Sequence, residues 1–436
     1  MKIRGLPDVI IITNPPEKFA GEAVVPGDKS ITHRAAMLGA ISRGTTEVNG
    51  FLDAEDTLST IRCLQLLGVR IKVRGSNLII DGQGMVLKQP AGTLDAGNSG
   101  TTARLLLGIL AGQPFKTVIT GDQSLQKRPM KRVAEPLRLM GAAIDGKNGG
   151  ERLPLTVTGG SIQAIEYNSP RASAQVKSAV LLGGLFADGI TTVKEPYLSR
   201  NHTELMLEMF GASIESQGST VTLRGRPELR GGKVLVPGDI SAAAFIMVAA
   251  AIIPDAEVLL INVGVNPTRS GIIEVLQNMG ACLELQNRRY WGREPVADIM
   301  IKGGSPLKGI SLGGDIIPRL IDEIPVIAVA AAAADGKTVI RDAAELRVKE
   351  SDRITELSGQ LVKMGVDITE TKDGMIIEGG KGLRGAEVSS CGDHRIAMAL
   401  AVAGLVAEGE TAVHDAEAIN ISFPGFMAAL RSLILK

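Results

Sequence analysis

Along this chain an apolar stretch repeatedly ends in glycine and gives way to alternating apolar and polar residues. The junctions are Leu67-Gly68-Val69, Met140-Gly141-Ala142, Phe210-Gly211-Ala212, Met279-Gly280-Ala281 and Met364-Gly365-Val366. Glycine after a helical stretch suits the left-handed position that ends a helix. The alternation that follows, as in Val69-Arg70-Ile71-Lys72-Val73, is that of a strand. A second landmark is a helix of small and aliphatic residues followed by a short strand. The pattern predicts such helices near 30–42, 99–111, 173–187, 241–253, 322–334 and 393–407, with strands beginning near Thr45, Lys116, Thr191, Glu257, Lys337 and Thr411.

These landmarks define six units, each with two helices and several strands in about 70 residues, a period too long for the common solenoid repeats. They read as an α+β repeat in which helices cover a sheet. The small-residue helices should pack inside, and the more amphipathic ones, such as Glu204 to Phe210, should lie outside. One longer echo marks a boundary: Val25-Pro26-Gly27-Asp28 returns as Val236-Pro237-Gly238-Asp239. Pro-Gly is turn chemistry, which places hinges near 26–27 and 237–238. One lobe of three units then spans 27–236, and the second combines 1–26 with 237–436.

Composition narrows the classes. With 436 residues, 44% hydrophobic, the chain is long enough for two or three domains with ample cores. Aromatic residues are only 3%, so those cores are built from Ala, Val, Ile, Leu and Met. A formal net charge of zero argues against nucleic-acid and membrane-surface binding, which need a basic field. The cysteines, Cys63, Cys282 and Cys391, and the four histidines are scattered without metal-ligand spacing, which fits a reducing compartment. The longest apolar run, Ala242 to Ile253, is too short to span a bilayer. The expectation is a soluble cytoplasmic protein.

Chemistry gathers at predicted helix starts. Leu346-Arg347-Val348-Lys349-Glu350-Ser351-Asp352-Arg353 holds six polar or charged side chains in eight. If a helix begins near Glu350, then Glu350 and Arg353 share a face and put a proton donor or acceptor beside a cationic clamp. Gly27-Asp28-Lys29-Ser30 precedes Arg34; Gly97-Asn98-Ser99-Gly100 precedes Arg104; Ser173-Ala174-Gln175 opens a helix carrying Lys177; Gly392-Asp393-His394-Arg395 opens the last repeat. Helix N-termini attract anions, and cations within one turn make multi-point phosphate and carboxylate binding the favoured reading. Arg128 and Arg132 around Pro129 form another basic patch. No P-loop, dinucleotide fingerprint or nucleophile elbow fits these stretches.

Taken in order, these segments resemble the 5-enolpyruvylshikimate-3-phosphate synthase family over nearly the whole chain: Pro26 to Arg34, Gly97 to Arg104, Gln126 to Pro129, Ser173 to Lys177, Arg200 to Thr203, Ile321 to Pro325, Leu346 to Arg353, Asp393 to Met398 and Ser422 to Pro424. The resemblance implies a two-lobed inverse α/β barrel, the enolpyruvyl transferase fold, of six βαβαββ-type repeats with three per lobe and the active site between the lobes. It implies transfer of the enolpyruvyl group of phosphoenolpyruvate to the 5-hydroxyl of shikimate 3-phosphate, in chorismate and aromatic amino-acid biosynthesis, by a monomer that uses no metal and no organic cofactor. Glyphosate is the inhibitor it implies.

Carried over by position, the resemblance puts shikimate 3-phosphate at Lys29, Ser30, Arg34, Ser173, Ala174, Gln175, Arg200, Asp322 and Lys349. It puts phosphoenolpyruvate at Lys29, Gly100, Arg128, Gln175, Arg353 and Arg395, with Asn98 and Arg104 as helix-start neighbours. Asp322 and Lys349 are the candidates for handling the hydroxyl proton, and Glu350 for protonating the methylene carbon. Many family members carry Lys where Ile421 precedes Ser422-Phe423-Pro424 here, and some carry Asn at the place of Glu345. The nearest alternative, the sister transferase acting on UDP-N-acetylglucosamine, uses a loop cysteine; the loop from Gly121 to Arg128 has none. A catalytically silent repeat or binding protein of the same fold would have lost an acid or base, yet Asp322, Lys349 and Glu350 are all present.

Overall fold

The computed structural model describes residues 2–6, 8–13 and 15–434. Among them are six four-stranded sheets. In each, one edge strand runs parallel to its neighbour. In four sheets that edge strand precedes a buried helix and its partner follows the same helix, as a parallel crossover requires. The pairs are Leu94–Asp95 with Lys116–Thr120, Glu166–Asn168 with Ile190–Lys194, Ser311–Leu312 with Lys337–Ile340, and Glu387–Ser389 with Glu410–His414.

The other two sheets exchange partners. Ala20–Ala23 leads into the helix Lys29–Ile41 but pairs with Glu257–Gly264. Lys233–Leu235 leads into the helix Ile240–Ile252 but pairs with Arg43–Asn49. The chain accordingly falls into two compact units: Met1–Pro26 with Pro237–Arg289 and Pro295–Lys436, and Gly27–Val236 with Tyr290–Glu294. The turns of the echoed motif are tightly built. A Cβ at Gly27 would lie 1.9 Å from the Gly50 carbonyl oxygen, so no side chain is accommodated there. Asp239 N–H donates to the Pro26 carbonyl at 2.8 Å.

Each unit has its own hydrophobic core. The small-residue helices start within two residues of the expected positions, at Lys29, Gly100, Ala174, Ile240, Ile324 and His394. Ile240–Ile252 is buried from Ile240 through Ala251, and Ile324–Ala333 is buried up to Ala332. Apolarity on all sides of a helix demands such burial. The helix-ending glycines Gly68, Gly141, Gly211, Gly280 and Gly365 all take φ between 83° and 103°, the left-handed region that terminates helices. No helix of the described residues is long and apolar enough to cross a membrane.

Two local expectations need correction. The helix after Glu350 begins at Arg353, because Asp352 caps it by accepting the Thr355 N–H at 3.2 Å. Glu204, assigned to an outward amphipathic helix, is buried on the helix His202–Met209. The amphipathic pattern reports where apolar side chains face; it does not reveal that an acid has found a buried cation.

Candidate active site

In the unit containing Gly27–Val236, three core helices bring their first turns into the site chemistry. Asp28 caps the first by accepting the Ile31 N–H at 2.8 Å. Lys29 Nζ then pairs with Asp56 Oδ2 at 2.8 Å. Arg34, one turn on, is buried and bridges helices: Nε donates to Thr203 Oγ1 and Nη2 to Ser178 Oγ, both at 2.7 Å, and Nη1 to the Ser30 carbonyl at 3.0 Å. These bonds make Arg34 a framework for the Ser30 turn.

The second helix start is ringed by guanidinium groups. Ser99 caps it, and Gly100 is its first residue. A Cβ at Gly100 would lie 2.8 Å from Arg104 Nη1 and 3.6 Å from Arg128 Nη1. Arg104 donates to Gln175 Oε1 at 2.7 Å and to the Pro129 carbonyl at 3.2 Å. Arg128 Nη1 donates to the Asn98 carbonyl at 3.2 Å and Nη2 to Ser124 Oγ at 3.2 Å. Gln175 Nε2 reaches Thr101 Oγ1 at 3.1 Å, and so joins the third helix start to the second. The structure thus gathers Gly100, Arg128 and Gln175, and adds Arg104 as a central member. Its sequence signal was the four-residue spacing from Gly100, which places it one turn further on the same face. Arg128 and Arg132 were expected as a patch; Arg128 is buried in this cradle and Arg132 is half-buried.

Ser173 caps the third helix, its hydroxyl facing the Val176 N–H. Ser173, Ala174, Gln175 and Arg200 are all half-buried. Ser173 N–H donates to Glu195 Oε1 at 2.8 Å, a partner the sequence reading did not contain. Lys177, expected among helix-start cations, is buried between Glu195 and Glu204.

In the other unit, the acids and bases form one cluster. Arg353, 1% exposed, is its hub. Its Nε and Nη2 donate to Asp393 at 2.7 and 3.3 Å, Nη2 also to Glu350 Oε2 at 2.6 Å, and Nη1 to Asp322 Oδ1 at 3.5 Å. Burial pulls the Arg353 pKa down, but Asp393, Glu350 and Asp322 outweigh it and carry it above its usual value. The guanidinium therefore stays charged and holds the acids in place. Lys349 Nζ stands 3.5 Å from Asp322 Oδ1 and 3.8 Å from Glu345 Oε1. Arg395 Nη1 donates to the Asp322 carbonyl at 3.1 Å, with Nη2 3.9 Å from Asp322 Oδ2. All five residues singled out in this unit, Asp322, Lys349, Glu350, Arg353 and Arg395, share these contacts. Asp393, which caps the helix His394–Gly404 through the Arg395 N–H at 2.8 Å, completes the set.

Burying so many charges is costly unless each is paired, and such clusters concentrate at reactive sites. The unit of Gly27–Val236 offers helix N-termini and guanidiniums, equipment for anions. The other offers Lys349 and Asp322 3.5 Å apart, with Asp322 and Glu350 both held by Arg353, equipment for moving protons. Among the described residues no group of three or more His, Cys, Asp or Glu is arranged to hold a metal ion.

Known proteins align with this chain throughout. The family model described as EPSP synthase (3-phosphoshikimate 1-carboxyvinyltransferase) matches residues 13–430. A 3-phosphoshikimate 1-carboxyvinyltransferase of Desulforamulus reducens is 55% identical over 98% of this chain and 100% of its own. That of Pelotomaculum thermopropionicum is 57% identical over 95% and 96%. A solved structure of EPSP synthase from Acinetobacter baumannii superposes with a TM-score of 0.88 at 48% identity, covering 98% of this chain and 99% of that one.

Proposed function

The chain belongs to the EPSP synthase family, and from that premise we propose how its two clusters carry out enolpyruvyl transfer from phosphoenolpyruvate to shikimate 3-phosphate. The activity is that of a 3-phosphoshikimate 1-carboxyvinyltransferase. Lys29, Gly100, Arg128, Gln175, Arg353 and Arg395 serve phosphoenolpyruvate. Lys29, Ser30, Arg34, Ser173, Ala174, Gln175, Arg200, Asp322 and Lys349 serve shikimate 3-phosphate. Arg104 joins the phosphoenolpyruvate set, because it and Arg128 flank the bare Cα of Gly100.

The observation that carries the catalytic assignment is the pairing of Asp322 with Lys349 at 3.5 Å beside the Glu350–Arg353 pair at 2.6 Å. Glu350 delivers a proton to the methylene carbon of phosphoenolpyruvate, which leaves cationic character on the neighbouring carbon. The 5-hydroxyl attacks there and loses its proton to the Asp322–Lys349 pair. Expulsion of phosphate from the tetrahedral adduct, with loss of a proton from the methyl group, restores the double bond. Fixed cations around the phosphate and carboxylate lower the barrier to both steps, and the proton shuttles need only side chains of matched geometry.

The same reading makes the chain a cytoplasmic monomer open to inhibition by glyphosate. The decisive experiment follows phosphate release with both substrates and with each omitted. Release only when both are present, with the enol ether product detected by mass, is the expected result. Release with UDP-N-acetylglucosamine in place of shikimate 3-phosphate would transfer the assignment to the sister reaction.

A further inference from the structure

Lys177 is 1% exposed, yet it is charged. Burial pulls its pKa down, but Glu204 and Glu195 outweigh that and raise it. Its Nζ lies 2.9 Å from Glu195 Oε2 and 2.8 Å from Glu204 Oε1, and donates to the Ser199 carbonyl at 3.3 Å. Two carboxyl groups face one ammonium group, and Glu195 is held by further donors as well. Oε1 accepts the Ser173 N–H at 2.8 Å, at the positive end of the helix Ala174–Gly184, and Oε2 accepts the Ser199 hydroxyl at 2.7 Å.

As a device for stability this is a poor choice, since an apolar cluster of equal volume commonly does as well as a buried ion pair. An apolar cluster, however, could not fix a backbone N–H and a hydroxyl on two separate segments. Those segments are the ones that matter. Ser173 starts the run Ser173-Ala174-Gln175, and Ser199 is bonded directly to Arg200 along the chain. Both lie outside regular strands and helices, as does Glu195 itself, just past the strand Ile190–Lys194.

We propose that Glu195 is a positioning residue for shikimate 3-phosphate. It sets the spacing between the Ser173 helix start and Arg200, with Lys177 holding the carboxylate in register, and it does not touch the substrate. The proposal rests on the functional reading above, which assigns Ser173 and Arg200 to that ligand. Glu204 provides an internal control. It compensates Lys177 from the other side through Oε1 at 2.8 Å, and its Oε2 has no hydrogen-bond partner among the described residues.

The test compares wild type, Glu195→Gln and Glu204→Gln by steady-state kinetics, by calorimetric titration with shikimate 3-phosphate alone, and by thermal unfolding. Gln at 195 keeps the volume but turns an N–H toward Lys177 or Ser199. Both KM and Kd for shikimate 3-phosphate should rise about 10-fold or more in Glu195→Gln, the factor one charge-assisted hydrogen bond is worth. Its kcat and its KM for phosphoenolpyruvate should stay within about 3-fold, since the reacting atoms are untouched. Glu204→Gln should unfold at a similarly lowered temperature with shikimate 3-phosphate affinity near wild type. Equal losses of affinity in the two variants, or an unchanged Kd in Glu195→Gln, would overturn the proposal while leaving wild-type activity intact. A wild type that neither binds shikimate 3-phosphate nor releases phosphate would overturn the functional reading and this proposal with it. Should Glu195→Gln fail to fold, Ser199→Ala removes only the hydroxyl link. It should weaken shikimate 3-phosphate binding several-fold, and unchanged affinity there would equally refute the role.

Discussion

Replacing Gly100 with Ala tests the cradle at its narrowest point. The new methyl would sit 2.8 Å from Arg104 Nη1, where ordinary contact begins at 3.4 Å. The guanidinium must therefore retreat by about 0.6 Å, the difference between those distances. It is not free to do so without loss, because the same Nη1 donates to Gln175 Oε1 at 2.7 Å. A retreat of that size stretches the bond to the weak end of the hydrogen-bonding range. Hydrogen bonds to charged groups contribute about 1.5–3 kcal/mol, so losing half of one costs about 0.75–1.5 kcal/mol, or about 4- to 13-fold in a binding constant. Gly100 lies in a helix without left-handed φ, so Ala meets no backbone strain, and its helix propensity favours folding.

The expected outcome is specific. The KM for phosphoenolpyruvate rises about 4- to 13-fold, the KM for shikimate 3-phosphate moves less than about 3-fold, and the unfolding temperature is unchanged or higher. Initial rates of phosphate release, with each substrate varied at saturation of the other, measure both constants. In an Arg104→Lys background the slimmer side chain relieves the clash, so the same Gly100→Ala step should have little further effect, a coupling that a double-mutant cycle reads directly. A phosphoenolpyruvate KM within about twofold of wild type would refute the reasoning. So would an equal rise for shikimate 3-phosphate.

The same methyl should weaken glyphosate inhibition by a larger factor than it weakens phosphoenolpyruvate use; equal factors would separate the inhibitor from Gly100. Glu350→Gln and Lys349→Met should each lower kcat by about 10²- to 10⁴-fold without unfolding the protein, and near-normal turnover in either would remove that residue from the mechanism. Arg353→Met strands Asp393, Glu350 and Asp322 around an apolar side chain. Stability at neutral pH should fall by about 3–5 kcal/mol, visible as a lower urea midpoint. His33 is fully buried with Nδ1 2.7 Å from Thr60 Oγ1, and burial, with Lys29 and Arg34 nearby, holds its pKa well below 6.5. Below pH 6.5 the unfolded chain takes up a proton that the folded chain refuses. The His33 contribution to stability is thus complete above that pH and is lost as pH falls toward the folded pKa, by up to about 1.4 kcal/mol per unit. His33→Asn should flatten this slope, and parallel slopes in the two proteins would show that another group carries it.

Much of the fold was legible because it depends on local backbone chemistry. Gly68, Gly141, Gly211, Gly280 and Gly365 declare helix ends because only glycine enters the left-handed region at little cost. The runs in Ile240–Ile252 and Ile324–Ala333 declare burial because no face is polar. The exchange of the edge strands Ala20–Ala23 and Lys233–Leu235 is different. Each pairs with a strand about 200 residues away, and its only local trace is the Val-Pro-Gly-Asp echo. The chemistry divides the same way. Lys29, Gly100, Ser173 and Arg395 stand at helix starts, where capping residues announce them. Glu204 sits in a stretch that reads as an outward amphipathic face and nothing local marks Glu195 or Asp56, because the role of all three exists only through the cations that folding brings to them. The start at Arg353 was misplaced because Ser351 and Asp352 both suit a cap, and the position that accepts the Thr355 N–H decides it.

The caps also explain why similar repeats divide the labour. Asp239 and Asp393 bring a full negative charge to the helix N-terminus, which cancels the attraction for anions and draws in a cation instead. Arg269 reaches Asp239 at 2.9 Å and Arg353 reaches Asp393 at 2.7 Å. Ser99 satisfies the same N–H groups with a neutral hydroxyl, so the positive end of that dipole remains for a ligand. Ser173 also caps with a hydroxyl, and there the Glu195 carboxylate takes the Ser173 N–H. Both serine-capped starts lie in the unit proposed to hold most of the phosphate and carboxylate contacts, and the Asp393-capped start supports the acid and base cluster. Asp28 caps another start in the unit of the serine-capped ones with a carboxylate, and there Lys29 supplies the positive charge for a ligand. The choice between Ser and Asp thus sets the charge of each helix start one at a time and does not by itself divide the two units.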